Sequence, residues 1–345
     1  MAAPTAALKV AVVAGGLAHE RDVSIRSGRR VAQTLRDEGM EVRVWDLDAH
    51  LIPRITEWQP DVVWPLVHGA DGEDGSLQDL FALLGLRFVG ADGHQARIAS
   101  HKPTAKALMR AVGVATPRWV TLRQSLFRQV GAKGVLDAIV TTLGLPLVVK
   151  PADGGSALGV TVVRDATELP EAMVGCFAYS DEALIEEYVE GTEVAASLVA
   201  DGDGVRVLPL VEIVTEGPYD YDARYNAGRA EYFVPARLTS EHAEAVREAV
   251  STVHEAFALG DLSRIDVLVA ADGTVWVLDI NVAPGMTETS LFPQAAASEG
   301  GALYAEIVRR VAEKDVTGPG ISPALARPVE TVSFGDSTPP AAYEG

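Results

Sequence analysis

The stretch that most constrains this chain is a predicted β-hairpin between Arg264 and Asn281. Two runs of β-branched and apolar residues flank an Asp-Gly pair at 272–273, a strong short-range signal for a two-residue hairpin turn. With that turn, Asp266 lies directly opposite Asp279. Arg264 and Asn281 share their face, because side chains alternate along a strand. The fold must therefore accommodate two facing carboxylates.

The facing carboxylates allow two interpretations. Asp266, Asp279 and Asn281 offer only oxygen ligands, which suits Mg²⁺ completed by substrate phosphates. Alternatively, one aspartate forms an ion pair with Arg264, since structural ion pairs also perturb carboxylates. The sequence pattern alone leaves both interpretations open.

Composition limits the class of partner. The 345 residues carry a formal net charge of −19, which argues against a nucleic-acid or anionic-membrane surface. A phosphate ligand would therefore need a local positive site. No apolar run approaches the length of a membrane span, and residues 1–7 lack the pattern of a signal peptide. The single cysteine, Cys176, cannot form an internal disulfide, so we expect a buried, inert thiol and a cytoplasmic location.

Strands alternate with helices over residues 8–98, which predicts a Rossmann-like, mostly parallel α/β domain. Ligands bind such sheets near the carboxyl ends of the strands, so His68 and the loop that carries Glu20 are expected at the site. Gly15-Gly16 lacks the G-x-G-x-x-G spacing, which makes a dinucleotide site a weak alternative.

The middle of the chain contains a glycine-rich loop at 151–159, between a strand that ends at Lys150 and a strand that starts at Val160. Because the loop joins two strands and lacks G-x-x-x-x-G-K-[ST], it is not a P-loop. It is either a flexible lid that lays backbone N–H groups over phosphates or an ordinary mobile turn.

The second half of the chain alternates predicted strands and polar loops. Residues 184–193 are typical of an edge strand followed by a turn, and 206–213 of a single strand. Residues 218–226 are polar and aromatic without periodicity, which indicates a functional loop or a tyrosine-rich packing loop. From 316 to 345 Gly, Pro and Ala dominate, and we expect a disordered tail.

In their order along the chain, these motifs resemble the ATP-grasp fold and, within it, the D-alanine–D-alanine ligase family. The motifs are G-G-x-x-x-E-R-x-V-S, H-G-x-x-G-E-D-G, the lysine-tipped strand with its glycine-rich hairpin, E-E-Y-V-E-G-x-E, Y-D-Y-x-A-x-Y, R-I-D…D-I-N and N-x-x-P-G-M-T. Each motif is weak alone, but their common order is specific. The resemblance implies a three-domain α/β (α+β) fold, with a Rossmann-like domain at 8–98, a central lid domain at 99–190 and a catalytic domain at 191–315.

The resemblance implies a ligase that joins two D-alanine molecules for peptidoglycan precursors. ATP phosphorylates the carboxylate of the first amino acid, and the amine of the second attacks the acyl phosphate. The implied cofactors are ATP and two Mg²⁺ or Mn²⁺ ions. The implied partners are small amino-acid substrates and a second copy in a homodimer, with no nucleic acid or membrane.

The resemblance also assigns nucleotide and metal contacts. The nucleotide contacts match Lys102, Lys150, Gly154, Gly155, Glu186, Tyr188, Val189, Glu193, Arg224 and Leu278. Among them, Lys102 and Lys150 match the lysines that hold the phosphates, and Glu186 matches a contact to the adenine edge. The metal ligands match Asp266, Asp279 and Asn281.

The catalytic and substrate contacts match Glu20, His68, Ser156, Tyr225, Arg264, Gly285 and Ser290. Glu20 matches the group that holds the ammonium of the first substrate, with Ser156 and Tyr225 as its partners. Arg264 and the N–H of Gly285 match an oxyanion site, and Ser290 matches the contact to the second carboxylate.

Several residues depart from the family pattern. Asp279 stands where Glu is usual, Arg224 where Lys is usual, and Glu288 adds a negative charge beside the expected pocket for the second carboxylate. The other departures are His101, Ala157, Val282 and Ala283. They keep two alternatives open: a related ligase that joins other amino acids, such as a dipeptide ligase of specialised metabolism, and a non-catalytic ATP-binding module.

Overall fold

The computed structural model of the chain describes residues 7–202, 204–215 and 228–315, and the structural statements below concern these ranges. Its strands form three sheets of three, four and six strands. Within the described ranges, no helix combines the length and the apolar character needed to cross a bilayer.

The first sheet is parallel, in the order β2-β1-β3. Its strands are β1 (Lys9–Ala14), β2 (Glu41–Asp46) and β3 (Val62–Pro65). The helices of this region are α1 (Arg21–Asp37), α2 (Leu51–Trp58), α3 (Ala70–Glu73), α4 (Ser76–Leu83) and α5 (Gly93–Ser100). Val12 of β1 packs in one core cluster with Leu35 of α1, and Val13 packs in another with Ile55 of α2. Both faces are covered, which explains the continuous apolar run of β1.

The second sheet is antiparallel, in the order β4-β7-β5-β6. Its strands are β4 (Trp119–Arg123), β5 (Leu147–Pro151), β6 (Thr161–Val163) and β7 (Glu182–Glu187). The helices are α6 (Lys102–Ala111), α7 (Gln124–Val130), α8 (Ala132–Leu143) and α9 (Leu169–Phe177). The predicted edge strand is wrong, because β7 pairs on both sides. Cys176 is buried in this core, and burial raises the pKa of its thiol to about 12, as expected of an inert cysteine.

The third sheet has the order β11-β10-β8-β12-β13, with β9 also paired to β8. Its strands are β8 (Thr192–Asp201), β9 (Gly204–Val207), β10 (Val211–Thr215), β11 (Ala230–Phe233), β12 (Leu262–Val269) and β13 (Val275–Asn281). The helices are α10 (Ser240–Phe257), α11 (Leu291–Ala295) and α12 (Gly301–Glu313). The single strand predicted at 206–213 is divided, because one extra residue lies between the pairs Leu198–Val207 and Ala195–Val211.

The first and third sheets share one core. Trp64 of β3 and Tyr304 of α12 have ring centroids 5.8 Å apart, and Phe292 of α11 lies in the same buried cluster. This packing brings the carboxyl ends of β1 and β3 beside the segment that follows β13. The domain boundaries remain a prediction.

The β12-β13 hairpin keeps its predicted pairing from Arg264 to Asp266 but not its predicted turn or the pairing next to the turn. The N–H of Ala270 donates to the carbonyl of Thr274 at 2.9 Å, so three residues connect the strands instead of two. Gly273 has φ +87°, as a three-residue turn with a left-handed glycine requires. Further along, Val267 pairs with Val277 and Asp266 with Asp279, which leaves Leu278 as an extra residue in a β-bulge. The bulge cancels the one-residue shift of the turn.

Candidate active site

The hairpin brings its polar residues together as the alternation of side chains predicts. Asp266 lies opposite Asp279, and Arg264 lies opposite Asn281. The guanidinium of Arg264 donates from Nε and Nη2 to the two carboxylate oxygens of Asp266 at 2.8 and 2.9 Å, and both side chains are buried. Asp266 therefore forms the ion pair with Arg264.

Two lysines approach the hairpin from the central region. The Nζ of Lys102, at the start of α6, lies 3.8 Å from Oδ1 of Asp279. The Nζ of Lys150, in β5, donates to the carbonyl of the bulge residue Leu278 at 3.4 Å and lies 2.6 Å from Oε1 of Glu186. These two cations lie beside Asp279 and Leu278 of the hairpin, where the sequence predicts a phosphate ligand.

A third lysine, which the sequence analysis did not identify, completes a buried cluster. The Nζ of Lys106 lies 2.7 Å from Oε2 of Glu186 and donates to Oγ1 of Thr116 at 2.6 Å. Burial lowers the pKa of Lys106 to about 8, against the attraction of Glu186. Burial raises the pKa of Glu186, but Lys150 and Lys106 outweigh this and hold it below its usual range. Glu186 is therefore a carboxylate shared by two lysines.

The glycine-rich loop lies against the start of α6. The N–H of Lys102 donates to the carbonyl of Ala152 at 2.9 Å, and its Nζ donates to the carbonyl of Gly154 at 2.6 Å. Ser156 and Ala157 have φ of +53° and +56°, a left-handed backbone conformation that residues other than glycine rarely adopt. Such unfavourable backbone is typical of functional loops, which favours the lid interpretation.

Two carboxylates, the buried Glu20 and the half-buried Glu73, lie near this loop from the N-terminal region. A methyl group at Gly155 would lie 3.9 Å from both Oε1 of Glu20 and Oε2 of Glu73. The pKa of Glu73 is raised to about 7, chiefly by loss of hydration and to a smaller extent by the nearby charge of Glu20. The N–H of Gly69 donates to Oε1 of Glu73 at 3.2 Å. Glu73 was not among the predicted site residues.

His68 joins the end of the first sheet to the loop after β13. Its Nδ1 lies 3.0 Å from the carbonyl of Ala283, and its Nε2 lies 3.3 Å from Oγ of Ser27. That hydroxyl also accepts the N–H of Met286 at 3.0 Å. Burial lowers the pKa of His68 to about 4, so the ring is neutral near pH 7. Only a protonated Nδ1 can donate to a carbonyl, which fixes the tautomer.

The loop after β13 presents Gly285 and Ser290 to the same region. A Cβ atom at Gly285 would lie 2.9 Å from Oγ of Ser290, so a larger residue there would displace the Ser290 hydroxyl. The N–H of Thr287 donates to Oγ of Ser290 at 3.0 Å, and the two hydroxyl oxygens are 2.8 Å apart. These bonds fix the position of the Ser290 hydroxyl.

One pocket is lined by the hairpin, the glycine-rich loop, the N-terminal region and the loop after β13, whereas Glu20 and the three lysines are not among its lining residues. The lining residues that were predicted from the sequence are His68, Gly155, Ser156, Arg264, Asn281, Gly285 and Ser290. The lining residues that were not predicted are Val23, Glu73, Thr289 and Leu291. Residues from all three sheet regions thus surround one space.

The residues predicted to contact adenine and ribose lie around the end of β7 and the start of β8. The ring of Tyr188 has the Arg164 guanidinium 5.2 Å from its centroid, and Val189 is half-buried. Glu193 lies in β8 opposite Leu268 of β12. The predicted residues Tyr225 and Arg224 lie outside the described residues.

Comparison with known proteins identifies the family. The family model described as D-ala D-ala ligase C-terminus matches residues 108–313. A D-alanine–D-alanine ligase of Gloeobacter violaceus is 38% identical over 311 residues, which cover 90% of this chain and 100% of that protein. This chain belongs to the D-alanine–D-alanine ligase family. A ligase of Moorella thermoacetica is 33% identical over 307 residues, covering 89% of this chain and 98% of that protein.

Solved structures of family members have the same fold. The crystal structure of the D-alanine–D-alanine ligase from Bacillus anthracis matches with a TM-score of 0.74 at 29% identity, covering 89% of this chain and 97% of that chain. The same enzyme complexed with ATP matches with a TM-score of 0.74 at 27% identity and the same coverage. The predicted ATP-grasp fold is confirmed.

One departure from the family pattern, Glu288, lies at the surface of the protein. Glu288 is exposed, and its carboxylate lies 3.3 Å from Nη2 of Arg26. Its own backbone N–H, and then Arg26, hold the pKa of Glu288 below its usual range. Glu288 is not among the residues that line the pocket of this ligase.

The family implies divalent cations, and the hairpin offers a matching donor set. Both carboxylate oxygens of Asp266 accept hydrogen bonds from Arg264, and the Asp279 side chain is 33% exposed. Oδ1 of Asn281 accepts the N–H of Ala283 at 2.9 Å. Within the described ranges, no three His, Cys, Asp or Glu side chains form a metal cluster. Two carboxylates and an amide are oxygen donors of the kind that suits Mg²⁺ or Mn²⁺.

The residues that sequence reasoning missed had only weak signals. Lys106 follows Lys102 by one helical turn, and this spacing places both on one face of α6. Glu73 lies in the quoted H-G-x-x-G-E-D-G motif but was given no role. Neither the helical spacing of Lys106 nor the motif position of Glu73 shows whether the charged side chain lies in a site or on the exposed surface.

Proposed function

We propose that this ligase joins two molecules of D-alanine to D-alanyl-D-alanine and converts ATP to ADP and phosphate. The observation that carries the proposal is the single pocket where Ser156 of the glycine-rich loop meets Arg264 and Gly285, with Glu20 beside it. Such a pocket can hold a small zwitterion between an acidic group and a set of donors. Family membership supports the reaction type.

In the first step, the carboxylate of one D-alanine attacks the γ-phosphorus of ATP, and an acyl phosphate and ADP form. Lys102 and Lys150 bind the phosphates, and the glycine-rich loop excludes water from the reacting groups. Glu20 accepts hydrogen bonds from the ammonium of this amino acid and so directs its carboxylate toward the phosphates.

In the second step, the amine of the other D-alanine attacks the acyl carbonyl, and phosphate leaves from the tetrahedral intermediate. The guanidinium of Arg264 and the N–H of Gly285 donate to the oxyanion. Ser290 binds the carboxylate of the attacking amino acid. His68 acts as a positioning residue, since both of its ring nitrogens are engaged with Ala283 and Ser27.

Asp266, Asp279 and Asn281 would hold two Mg²⁺ or Mn²⁺ ions. When bound, such ions neutralise charge on the transferring phosphoryl group. Asp266 would then contact Arg264 and a metal ion at the same time. The oxyanion site and the metal site would therefore share the Asp266 side chain.

We further propose that the ligase acts in the cytoplasm, supplies a peptidoglycan precursor and forms a homodimer. Family membership supports the pathway. The net charge of −19 supports small-molecule substrates over nucleic acid.

The experiment supplies purified protein with ATP, Mg²⁺ and D-alanine and measures phosphate release and dipeptide by mass spectrometry. We expect D-alanyl-D-alanine, no product with L-alanine, and loss of turnover in EDTA. Glu20→Gln should lower kcat/KM by about 100-fold, as loss of a positioned charge does. The matched control, Glu248→Gln on the exposed face of α10, should retain full activity. Product from D-serine or another amino acid but not from D-alanine would reject the proposed substrate.

A further inference from the structure

The cluster of Lys106, Glu186 and Lys150 has a function beyond the contacts that the family resemblance assigns. We infer that Lys106 is a positioning residue that neutralises Glu186 and so leaves Lys150 available to the phosphates of the bound nucleotide. The inference rests on the proposed use of ATP, but not on the identity of the amino acids.

The geometry divides one carboxylate between two cations. Lys106 approaches Oε2 of Glu186 at 2.7 Å, and Lys150 approaches Oε1 at 2.6 Å. Glu186 is buried in β7, and β7 pairs with both β4 and β5. A buried carboxylate needs a nearby positive charge to remain ionised, and here either lysine can supply it.

The two lysines differ in what else they can reach. Lys106 is 1% exposed, donates to Thr116 at 2.6 Å, and has Nζ 5.2 Å from the centroid of the Trp119 ring. These contacts hold the ammonium of Lys106 against Thr116 and Trp119. Lys150 instead contacts the carbonyl of Leu278, one residue from Asp279. Lys150 is therefore the cation that faces the phosphate side.

This arrangement accounts for the presence of both lysines. When Lys150 turns to a phosphate, it gives up at least part of its bond to Glu186. Without Lys106, that movement would leave a buried negative charge without compensation and would oppose nucleotide binding. With Lys106 in place, Glu186 stays neutralised throughout.

Nucleotides of different length separate this role from a general structural one. Calorimetry with Mg²⁺ and without amino acids should compare ATP, ADP and adenosine binding to wild type, Lys106→Met and Lys106→Arg. For Lys106→Met we expect affinity for ATP and ADP to fall by roughly tenfold or more, and affinity for adenosine to change by less than about twofold. Lys106→Arg keeps the charge and should retain most of the affinity. Lys133→Met, which removes an exposed lysine of α8, is the matched control.

A double-mutant cycle tests the route through Glu186. In a Glu186→Gln background no buried charge needs neutralising, so Lys106→Met should cause no further loss of ATP affinity. An equal loss for adenosine and ATP would overturn the inference, as would unchanged ATP binding. Because binding alone is measured, failure of dipeptide synthesis with intact ATP binding would reject only the proposed reaction.

A pH series keeps the inference testable if Lys106→Met does not fold. Burial lowers the pKa of Lys106 to about 8, and the charges that act on it are Glu186 from β7, Lys150 from β5 and Asp279 from β13. Wild-type affinity for ATP should therefore weaken between pH 7 and pH 9 more than that of Lys106→Arg. The same decline in both proteins would contradict the inference.

Discussion

At the scale of single residues, the ion pair between Arg264 and Asp266 means that a substitution of Asp266 affects stability as well as the predicted metal site. The sequence alone suggests that removing the charge of Asp266 relieves repulsion from Asp279. The structure shows instead that Asp266 compensates a buried guanidinium through two hydrogen bonds. Asp279 is more exposed, and its cationic neighbour Lys102 is 3.8 Å away. The two facing aspartates therefore contribute differently to stability.

We predict that Asp266→Asn lowers both stability and turnover, whereas Asp279→Asn lowers turnover alone. Breaking the buried pair should cost about 3 kcal/mol of unfolding free energy, and the change at Asp279 should cost less than about 1 kcal/mol. Both variants should lose most ligase activity. Urea unfolding without ligands, together with phosphate release, measures both effects. Equal destabilisation by the two substitutions would contradict the assignment of Arg264 to Asp266.

At the scale of secondary-structure elements, close backbone approaches determine how the helices of the N-terminal region fit together. Gly75, just before α4, has φ +86°, and a Cβ atom there would lie 2.1 Å from the carbonyl oxygen of Gly93 at the start of α5. Gly39, after α1, has φ +84°, but among the described residues it has nothing within 4 Å of its Cβ position. These glycines share a conformation and differ in their surroundings.

We predict that Gly75→Ala destabilises the protein by about 3 kcal/mol or more, because the added methyl group forces α4 and α5 apart. Gly39→Ala has only the left-handed backbone penalty of about 1 kcal/mol and serves as the control. Chemical denaturation of both variants measures the difference. Similar losses of unfolding free energy in Gly75→Ala and Gly39→Ala would contradict the close approach of α4 and α5.

At the scale of the whole molecule, buried titratable groups with opposite pKa shifts set the pH dependence of stability. Burial lowers the pKa of His68 and of His254 from 6.5 to about 4. Unfolding lets these rings take up protons between pH 6.5 and pH 4. Their contribution to the free energy of unfolding is therefore full above pH 6.5 and falls as the pH drops to 4. Burial raises the pKa of Glu73 from 4.5 to about 7. The contribution of Glu73 to the free energy of unfolding is therefore full below pH 4.5 and falls as the pH rises to 7.

We predict that His254→Gln flattens the loss of stability between pH 6.5 and pH 4, by up to about 3 kcal/mol over that range. Glu73→Gln keeps an oxygen for the N–H of Gly69 and removes a buried charge, so it should be more stable than wild type above pH 7. Thermal unfolding across pH 4–8 measures both effects, with the exposed His50→Gln as control. A His254→Gln profile that parallels wild type would contradict the buried, neutral ring.

Local regularities explain what the sequence predicted well. The alternation of side chains along strands placed Asp266 opposite Asp279, although the turn was wrong by one residue and the bulge at Leu278 restored the pairing. The order of the motifs also predicted the ATP-grasp fold and the family. The central position of β7 and the division of the strand at 206–213 were missed, because both depend on pairing with distant strands.

The sequence by itself determined the fold class, the family and the set of hairpin side chains, because spacing along strands and helices follows from local backbone geometry. Only the tertiary structure decided that Lys106 shares Glu186 with Lys150 and that Glu73 lies beside Glu20. These contacts join residues far apart in the chain, and their distances depend on how whole sheets and helices pack. No local spacing encodes that packing, so the charge balance of the site could be read only from the folded molecule.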